Sequence, residues 1–304
     1  MTFGVMFHHL HNHIHKKGQG SISKNEFRNI ILLLKKKYIL NDADTYIKKI
    51  ISKKITIKDI CLTFDDSLKC QIDIALPVLR REKIKAFFFI YSGAFKDNPD
   101  NLEIFRYFRN TKYKSIQLFY KDFFLSMKNL FSDDYLKFKK KFTNMYLRQF
   151  KFYSIEDKKF RFCRDRILNK KSYEILMFKL MKKKNFNYKM SIKKLFMNKS
   201  DIASLVKYNQ VVGLHSSTHP VNLPNLPIKD QMREYKDNML FIKRFTKSKS
   251  ISMSHPFGRY NKDTLKILNK IGIKIGFLSY KKKTIKSLLE IPRIDHVEFL
   301  KKIK

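Results

Sequence analysis

Asp65 and Asp66 stand side by side in the string Leu62-Thr63-Phe64-Asp65-Asp66. His215 and His219 stand four apart in Gly213-Leu214-His215-Ser216-Ser217-Thr218-His219-Pro220. Two carboxylates and two imidazoles are enough to hold one divalent ion and leave a carboxylate over for proton transfer. Adjacent side chains on an extended strand point to opposite faces, so both aspartates reach one pocket only where a strand ends and the chain turns. A helical turn between the two histidines would put both rings on one side. An Asp–His–His set leaves ion positions open for water and substrate, as hydrolysis requires. Either string alone also reads as an ordinary strand end or a surface pair. Both, however, follow apolar strand-like runs, Ile57–Leu62 and Gln210–Leu214, and that shared context favours a site.

The elements that would carry these residues follow from periodicity. Strands are expected at Phe3–Met6, Ile57–Leu62, Ala86–Tyr91, Val211–Leu214, Ser250–Met253, Ile275–Leu278 and Ile291–Ile294. Helical spacing is found over Lys24–Tyr38, Asp42–Ser52, Asp73–Arg81, Asp230–Thr246 and Lys262–Ile271. Strand–helix alternation of this kind implies α/β architecture with a parallel sheet, and about seven strands suit a small, distorted (β/α) barrel. The candidate residues all fall at strand C-terminal ends, where such barrels carry chemistry. The middle differs. It holds no glycine, its one proline is Pro99, and Phe, Tyr, Leu and Lys recur at helical spacing, as in Tyr135–Phe150 and Lys170–Lys184. Residues 97–200 therefore read as a helical insertion, and residues 1–96 with 201–304 as the barrel. The aromatic stripes of the insertion are expected to form its core.

The formal charge of +40 invites a nucleic-acid reading, but 53 of the 66 basic residues are lysine, interleaved with Ile, Asn, Phe and Tyr along the whole chain. A nucleic-acid site would concentrate its charge and favour arginine. The expectation is a solvated lysine-rich surface, no nucleic-acid partner, and at most weak peripheral association with membranes. No stretch approaches the roughly 18 apolar residues of a membrane span, and Met1–Ile14 lacks the basic leader and apolar core of a signal peptide. Cys61, Cys70 and Cys163 are few, odd in number and unpatterned, which suits buried thiols in a reduced cytoplasm.

The two strings resemble the motifs of the polysaccharide deacetylase superfamily, the metal-dependent chitooligosaccharide deacetylase type also classed as carbohydrate esterase family four. Its Thr-Phe-Asp-Asp-Gly is matched by Thr63-Phe64-Asp65-Asp66, with Ser67 in place of the glycine, and its second motif, His-Ser/Thr-x-x-x-His or His-Ser/Thr-x-x-His, by His215-Ser216-Ser217-Thr218-His219. The resemblance implies Asp65 as catalytic base and Asp66, His215 and His219 as ligands of a divalent metal. This donor set suits Zn2+, with Co2+ or Fe2+ as further possibilities. It also implies a deacetylase fold of the glycoside hydrolase/deacetylase barrel type.

Ser254-His255-Pro256-Phe257-Gly258-Arg259-Tyr260 resembles the third motif, whose Pro256–Gly258 turn would offer backbone N–H groups to an oxyanion. The arginine some relatives carry there is absent, and Arg293 in Pro292-Arg293-Ile294-Asp295 is the candidate to hold Asp65 ionised. Asp295 would orient a histidine or cap the following turn. The usual C-terminal Leu-His acid motif is missing. A circularly permuted group of relatives carries that histidine near the N-terminus, where Met6-Phe7-His8-His9 matches, making His8 the candidate acid. An adventitious metal-binding run, His8 to His15, competes with that reading, and His296 is the other candidate. The implied reaction is metal-dependent hydrolysis of an N-acetyl, or O-acetyl, group on a sugar, releasing acetate, within surface-glycan biosynthesis. A cytoplasmic setting favours a sugar nucleotide or lipid-linked saccharide as substrate. The competing class is an inactive deacetylase-like module that binds glycan or assists assembly.

Overall fold

The computed structural model describes residues 2–96, 99–148, 153–246 and 249–301. Seven short, mostly buried strands form the sheet. They are β1 (Phe3–Phe7), β2 (Asp59–Phe64), β3 (Phe87–Ile90), β4 (Val211–Leu214), β5 (Ser252–Ser254), β6 (Ile275–Phe277) and β7 (Arg293–Asp295). In β1, β2 and β3 every residue is buried, as strands covered by helices outside and by packed side chains inside a barrel must be. The order is β7-β1-β2-β3-β4-β5-β6, all parallel, with a short Ile39–Leu40 strand added beside the start of β2.

The two ends of this order meet. Phe277 bridges Ile291, Leu278 N–H donates to Ile291 O at 2.8 Å, and Ile291 N–H donates to Gly276 O at 2.8 Å. Gly276 permits the approach, because a Cβ there would stand 2.7 Å from Leu289 O. The result is a nearly closed seven-stranded barrel surrounded by helices. Its interior is filled by Tyr46, Cys61, Phe87, Phe89, Ile275, Phe277 and Ile291, all buried. Burial of each large apolar side chain contributes about 1.5–3 kcal/mol, and the Phe87–Phe277 ring contact at 5.2 Å adds about 1 kcal/mol.

Helix boundaries follow local chemistry. Ser23 and Glu26 form a reciprocal capping box at the start of Lys24–Lys37, whose Phe27, Ile30, Ile31 and Leu34 form the buried face. The helix expected over Asp73–Arg81 begins earlier, with a wide π turn at Gln71–Ala75 that runs into Leu76–Arg81. That widening places the Gln71 side chain under the barrel mouth, with consequences for the site. The three cysteines are buried and form no disulfide among the described residues. Among the described residues no helix is long and apolar enough to cross a membrane.

The chain divides into two compact units, Met1–Asp100 with Ile192–Lys304, and Asn101–Ser191. The helix Lys199–Lys207 packs on β4 and belongs with the barrel. The second unit contains helices Asn101–Lys112, Ile116–Leu130, Ser132–Lys141, Ile155–Phe162 and Lys170–Lys183 around the buried rings of Phe105, Phe108, Phe119, Phe123 and Phe160. The helix expected over Tyr135–Phe150 ends at Lys141, where Phe142 turns to extended backbone; its last two positions lie outside the described residues.

Candidate metal and acid–base centre

β2 ends at Phe64, and Asp66 and Ser67 follow in the left-handed region, at φ 73° and 57°. The reversal throws the two adjacent carboxylates in different directions at the mouth of the barrel. Ser67 adopts the backbone that a glycine would take freely, at a cost of roughly 1–2 kcal/mol. Its hydroxyl accepts from Tyr91 N–H at 3.1 Å and its carbonyl from Met197 N–H at 2.8 Å, which hold the turn. Of ten non-glycine residues with positive φ among the described residues, five are Asp66, Ser67, Ser216, His219 and Phe257. Backbone strain is thus concentrated at these three loops, as at functional sites generally.

Asp66 faces the histidines. Its Oδ1 stands 3.3 Å from His215 Nε2 and 3.4 Å from His219 Nε2, and one donor atom from each of the three residues lies within 4.8 Å of the others. Donors about 2.0–2.1 Å from a tetrahedral ion stand roughly 3.4 Å apart, so the spacing fits one small divalent cation. The tautomers fit as well. His215 Nδ1 lies 2.8 Å from Ser254 O, a pure acceptor, and His219 Nδ1 lies 3.1 Å from Asp100 Oδ2. Each Nδ1 therefore carries the proton, and each Nε2 lone pair points inward.

The loop that carries the histidines is not the helical turn their spacing suggested. Ser216 is left-handed at φ 65°, and Glu234 accepts from Ser217 N–H at 2.9 Å, Thr218 N–H at 2.7 Å and Thr218 Oγ1–H at 2.7 Å. Asn238 adds a bond from His215 N–H at 3.0 Å. A spacing of four is satisfied equally by such a pinned turn, which leaves the ring centroids 4.8 Å apart.

Asp65 points to the other side, into Arg293. Nη1 donates to Oδ1 at 2.8 Å and Nη2 to Oδ2 at 2.6 Å, and the remaining N–H groups reach Ser254 Oγ at 2.7 Å, Thr63 Oγ1 at 3.2 Å and Leu278 O at 2.5 Å. All five donors of a 1 % exposed arginine are used. Gly4 leaves room for the arginine stem, since a Cβ there would stand 3.1 Å from Arg293 Cγ. Burial works against ionisation of Asp65, and the guanidinium, followed by His215, outweighs it, holding the carboxyl below its ordinary range.

His8 directly follows β1, beside these groups, with Nε2 3.9 Å from Asp65 Oδ2 and 3.7 Å from Asp66 Oδ2 and its side chain 26 % exposed. Gln71 ties the two strand ends together, donating to His8 O at 3.0 Å and to Asp65 O at 2.6 Å. His296 turns away, its ring nitrogens at Met6 O (3.3 Å) and Gly20 O (3.0 Å) and its ring stacked on Phe7.

Of the two roles expected for Asp295 the structure shows the second, and the third loop offers fewer backbone donors than expected. Asp295 accepts from Val297 N–H at 2.9 Å and lies 3.3 Å from His296 Nδ1, with its side chain 43 % exposed. It caps the turn after β7 and makes no hydrogen bond to His8 among the described residues. In the third loop, proline has no N–H and Gly258 N–H is taken by His255 O at 2.9 Å. Phe257 N–H, at φ 55°, is left as the backbone donor of that turn. The Phe257 ring lies over His219 at 4.8 Å. His255 is wholly buried, bonded through Nε2 to Leu289 O at 2.8 Å, and burial pushes its pKa down to about 4. Asp100, Glu234, Asn238 and Gln71 were not singled out from sequence. Apart from the Gln71 bond to Asp65 O, six positions away, their partners lie far along the chain, and no local pattern marks them.

Against known proteins, the family model described as polysaccharide deacetylase matches residues 52–107 and 166–276. No curated protein matches significantly in sequence. Among solved structures, the fold is similar to the Streptococcus pyogenes deacetylase PplD in complex with acetate, at 14 % identity and TM-score 0.57 over 97 % of this chain and 91 % of that one. IcaB from Ammonifex degensii is similar at 14 % identity and TM-score 0.58, over 96 % and 90 % of the two chains. A de-N-acetylase from Aggregatibacter actinomycetemcomitans is similar at 12 % identity and TM-score 0.56, over 100 % and 99 %. With a family match across more than half its length and the (β/α) barrel that carries it, this chain belongs to the polysaccharide deacetylase family and is a hydrolase of that kind.

Proposed function

We propose that the enzyme hydrolyses the N-acetyl group of a sugar in surface-glycan biosynthesis, releasing acetate and a free amine. The observation that carries this reading is the division of labour between adjacent carboxylates: Asp66 faces two inward-pointing imidazoles, while Asp65 is gripped by Arg293 about 4 Å from His215 Nε2. Asp66, His215 and His219 would hold the ion, with zinc the best match to two imidazoles and one carboxylate. A divalent cation there would supply Lewis acidity toward the amide carbonyl and bring the pKa of water toward neutrality.

Asp65 takes the proton as water attacks the carbonyl carbon. An aspartate held below its ordinary range is a weak base, adequate only for a water already acidified, and Arg293 keeps it ionised and aimed. Phe257 N–H donates to the developing oxyanion. His8 gives its proton to the departing nitrogen as the C–N bond breaks, so that acetate and amine leave with protons balanced. His8 on the first strand stands for the C-terminal histidine of relatives, in keeping with a permuted order.

A groove of about 880 Å³ starts at Phe257 and is lined by Asn222, Arg259, Tyr260, Tyr280 and Lys286. Exposed aromatic faces such as Tyr280, 45 % exposed, suit sugar rings. The cations Arg259 and Lys286 suit phosphate. This supports a sugar nucleotide or lipid-linked saccharide as substrate; a cytoplasmic setting is part of the proposal and does not rest on the groove. The test is acetate release from a panel of acetylated sugar nucleotides, lipid-linked sugars and neutral oligosaccharides, together with metal content. Acetate released in proportion to bound metal supports the reading; a metal-replete protein that releases none from any of them overturns it.

A further inference from the structure

The two imidazoles of the centre are held by different means. His215 Nδ1–H donates to Ser254 O, a backbone carbonyl fixed by β5. His219 Nδ1–H donates to a side chain, the Asp100 carboxylate, at 3.1 Å, with the two side chains 8 % and 15 % exposed. The fold would keep the first acceptor whatever the side chains around it. The second exists only because residue 100 is an aspartate.

His219 needs such support more than His215 does. It lies in the left-handed region at φ 55°, its ring packs between Tyr91 at 5.4 Å and Phe257 at 4.8 Å, and Phe257 is itself 39 % exposed. Tilted ring contacts of this kind, 35° in both cases, restrain the ring but leave a 180° flip open, and the flip would exchange Nδ1 and Nε2. A hydrogen bond at Nδ1 to a charged acceptor removes that freedom and fixes the proton on Nδ1. It also makes Nε2 the more basic donor toward the ion.

We infer that Asp100 is a positioning residue of the metal centre, holding His219 in the orientation and tautomer that present Nε2 beside Asp66. The inference rests on the proposed use of Asp66, His215 and His219 as ligands. Asp100 itself need touch neither ion nor substrate.

The test uses Co2+ as the probe, added to metal-free full-length protein, and reads the dissociation constant by chelator competition and the ligand-field absorption of the bound ion. Loss of a carboxylate partner behind a ligating histidine weakens metal binding by roughly 10–100-fold, and Asp100→Ala should fall in that range. Asp100→Asn can still accept from Nδ1–H through its amide oxygen but without the charge. It should lose less, with an absorption spectrum closer to that of the parent. The thermal midpoint of the metal-free variants should stay near that of the parent, because the expected effect is on the ligand and not on the barrel. Asp100→Ala binding Co2+ as tightly as the parent overturns the inference, as does equal loss in both variants accompanied by unfolding of the metal-free protein. If the parent chain fails to bind Co2+, the ligand assignment itself is wrong. The two failures are thereby told apart.

Discussion

Replacing Arg293 by methionine removes a buried cation of similar length whose five N–H groups are all engaged. What remains, among the described residues, is an Asp65 carboxylate, 3 % exposed, with Ser254 Oγ at 3.2 Å as its one side-chain hydrogen bond and imidazoles no nearer than 3.9 Å. Removing one partner of a buried ion pair costs about 3–5 kcal/mol, because the surviving charge is left desolvated. Arg293→Met should lose that much unfolding free energy in metal-free protein at pH 7, measured by urea denaturation followed through barrel tyrosine fluorescence. Adding Asp65→Asn removes the stranded charge, so the double variant should be more stable than the sum of the two single losses by at least about 2 kcal/mol. The sign of the pH dependence follows from the lowered pKa of Asp65. Its stabilisation is complete above the unfolded value of about 3.9 and is lost as pH falls through the folded value. In Arg293→Met the carboxyl becomes easier to protonate, so the gap between parent and variant should narrow as pH is lowered toward 3. Single-variant costs that add to within about 0.5 kcal/mol, or a gap that stays constant with pH, would refute the claim that Arg293 serves chiefly as the counter-charge of Asp65.

The adjacent aspartates should separate in one experiment: Asp66→Ala should lose bound metal, while Asp65→Asn keeps it and loses something like 10²–10⁴-fold in turnover. Metal lost from the Asp65 variant and kept by the Asp66 variant would show the two roles to be exchanged. His8→Ala should abolish the alkaline limb of the rate profile on amide substrates and cost less on activated esters, whose leaving groups need no proton. An unaltered alkaline limb removes His8 from the role of acid. His255, with its pKa pushed down to about 4, is neutral when folded and protonates more readily when unfolded. Stability should therefore fall as pH drops from about 6.5 toward 4, by up to about 1.4 kcal/mol per pH unit. Denaturation of His255→Gln across that window should show a shallower slope, and an identical slope excludes His255 as its source.

Sequence legibility tracked how far each interaction reaches along the chain. The alternation of strands and helices was readable because each strand is a local apolar run, and Asp65, Asp66, His215 and His219 were readable because each pair sits within one loop. Arg293 was reachable by inference, as a lone arginine at a neighbouring strand end. Asp100 was not, because its bond to His219 spans 119 positions and nothing around Pro99-Asp100 differs from a plain turn. The shape of the histidine loop was also hidden. It depends on Ser216 entering the left-handed region and on Glu234 from the helix Ile228–Lys243 holding the loop's N–H groups. The aromatic filling of the second unit was legible, since a glycine-free stretch dense in Phe and Tyr at helical spacing has few alternatives to a packed helical core.

The position of His8 shows why strand order in a closed barrel matters less than strand adjacency. β1 lies between β7 and β2, with Met6 paired to Asp295 on one side and Thr63 on the other. A histidine just past the end of β1 is therefore one strand away from the Asp65–Asp66 turn, and a residue just past β7 is two strands away. His296, just past β7, does not point inward, because its two ring nitrogens are committed to Met6 O and Gly20 O and its face to Phe7. His8 is free to face the carboxylates because Gln71 holds its backbone carbonyl from below, leaving its ring at the mouth. Two histidines of the same type, on neighbouring strand ends, are thus separated by their second partners. On that geometry the proton donor of the proposed reaction belongs to the first strand of this chain, whichever strand supplies it in relatives.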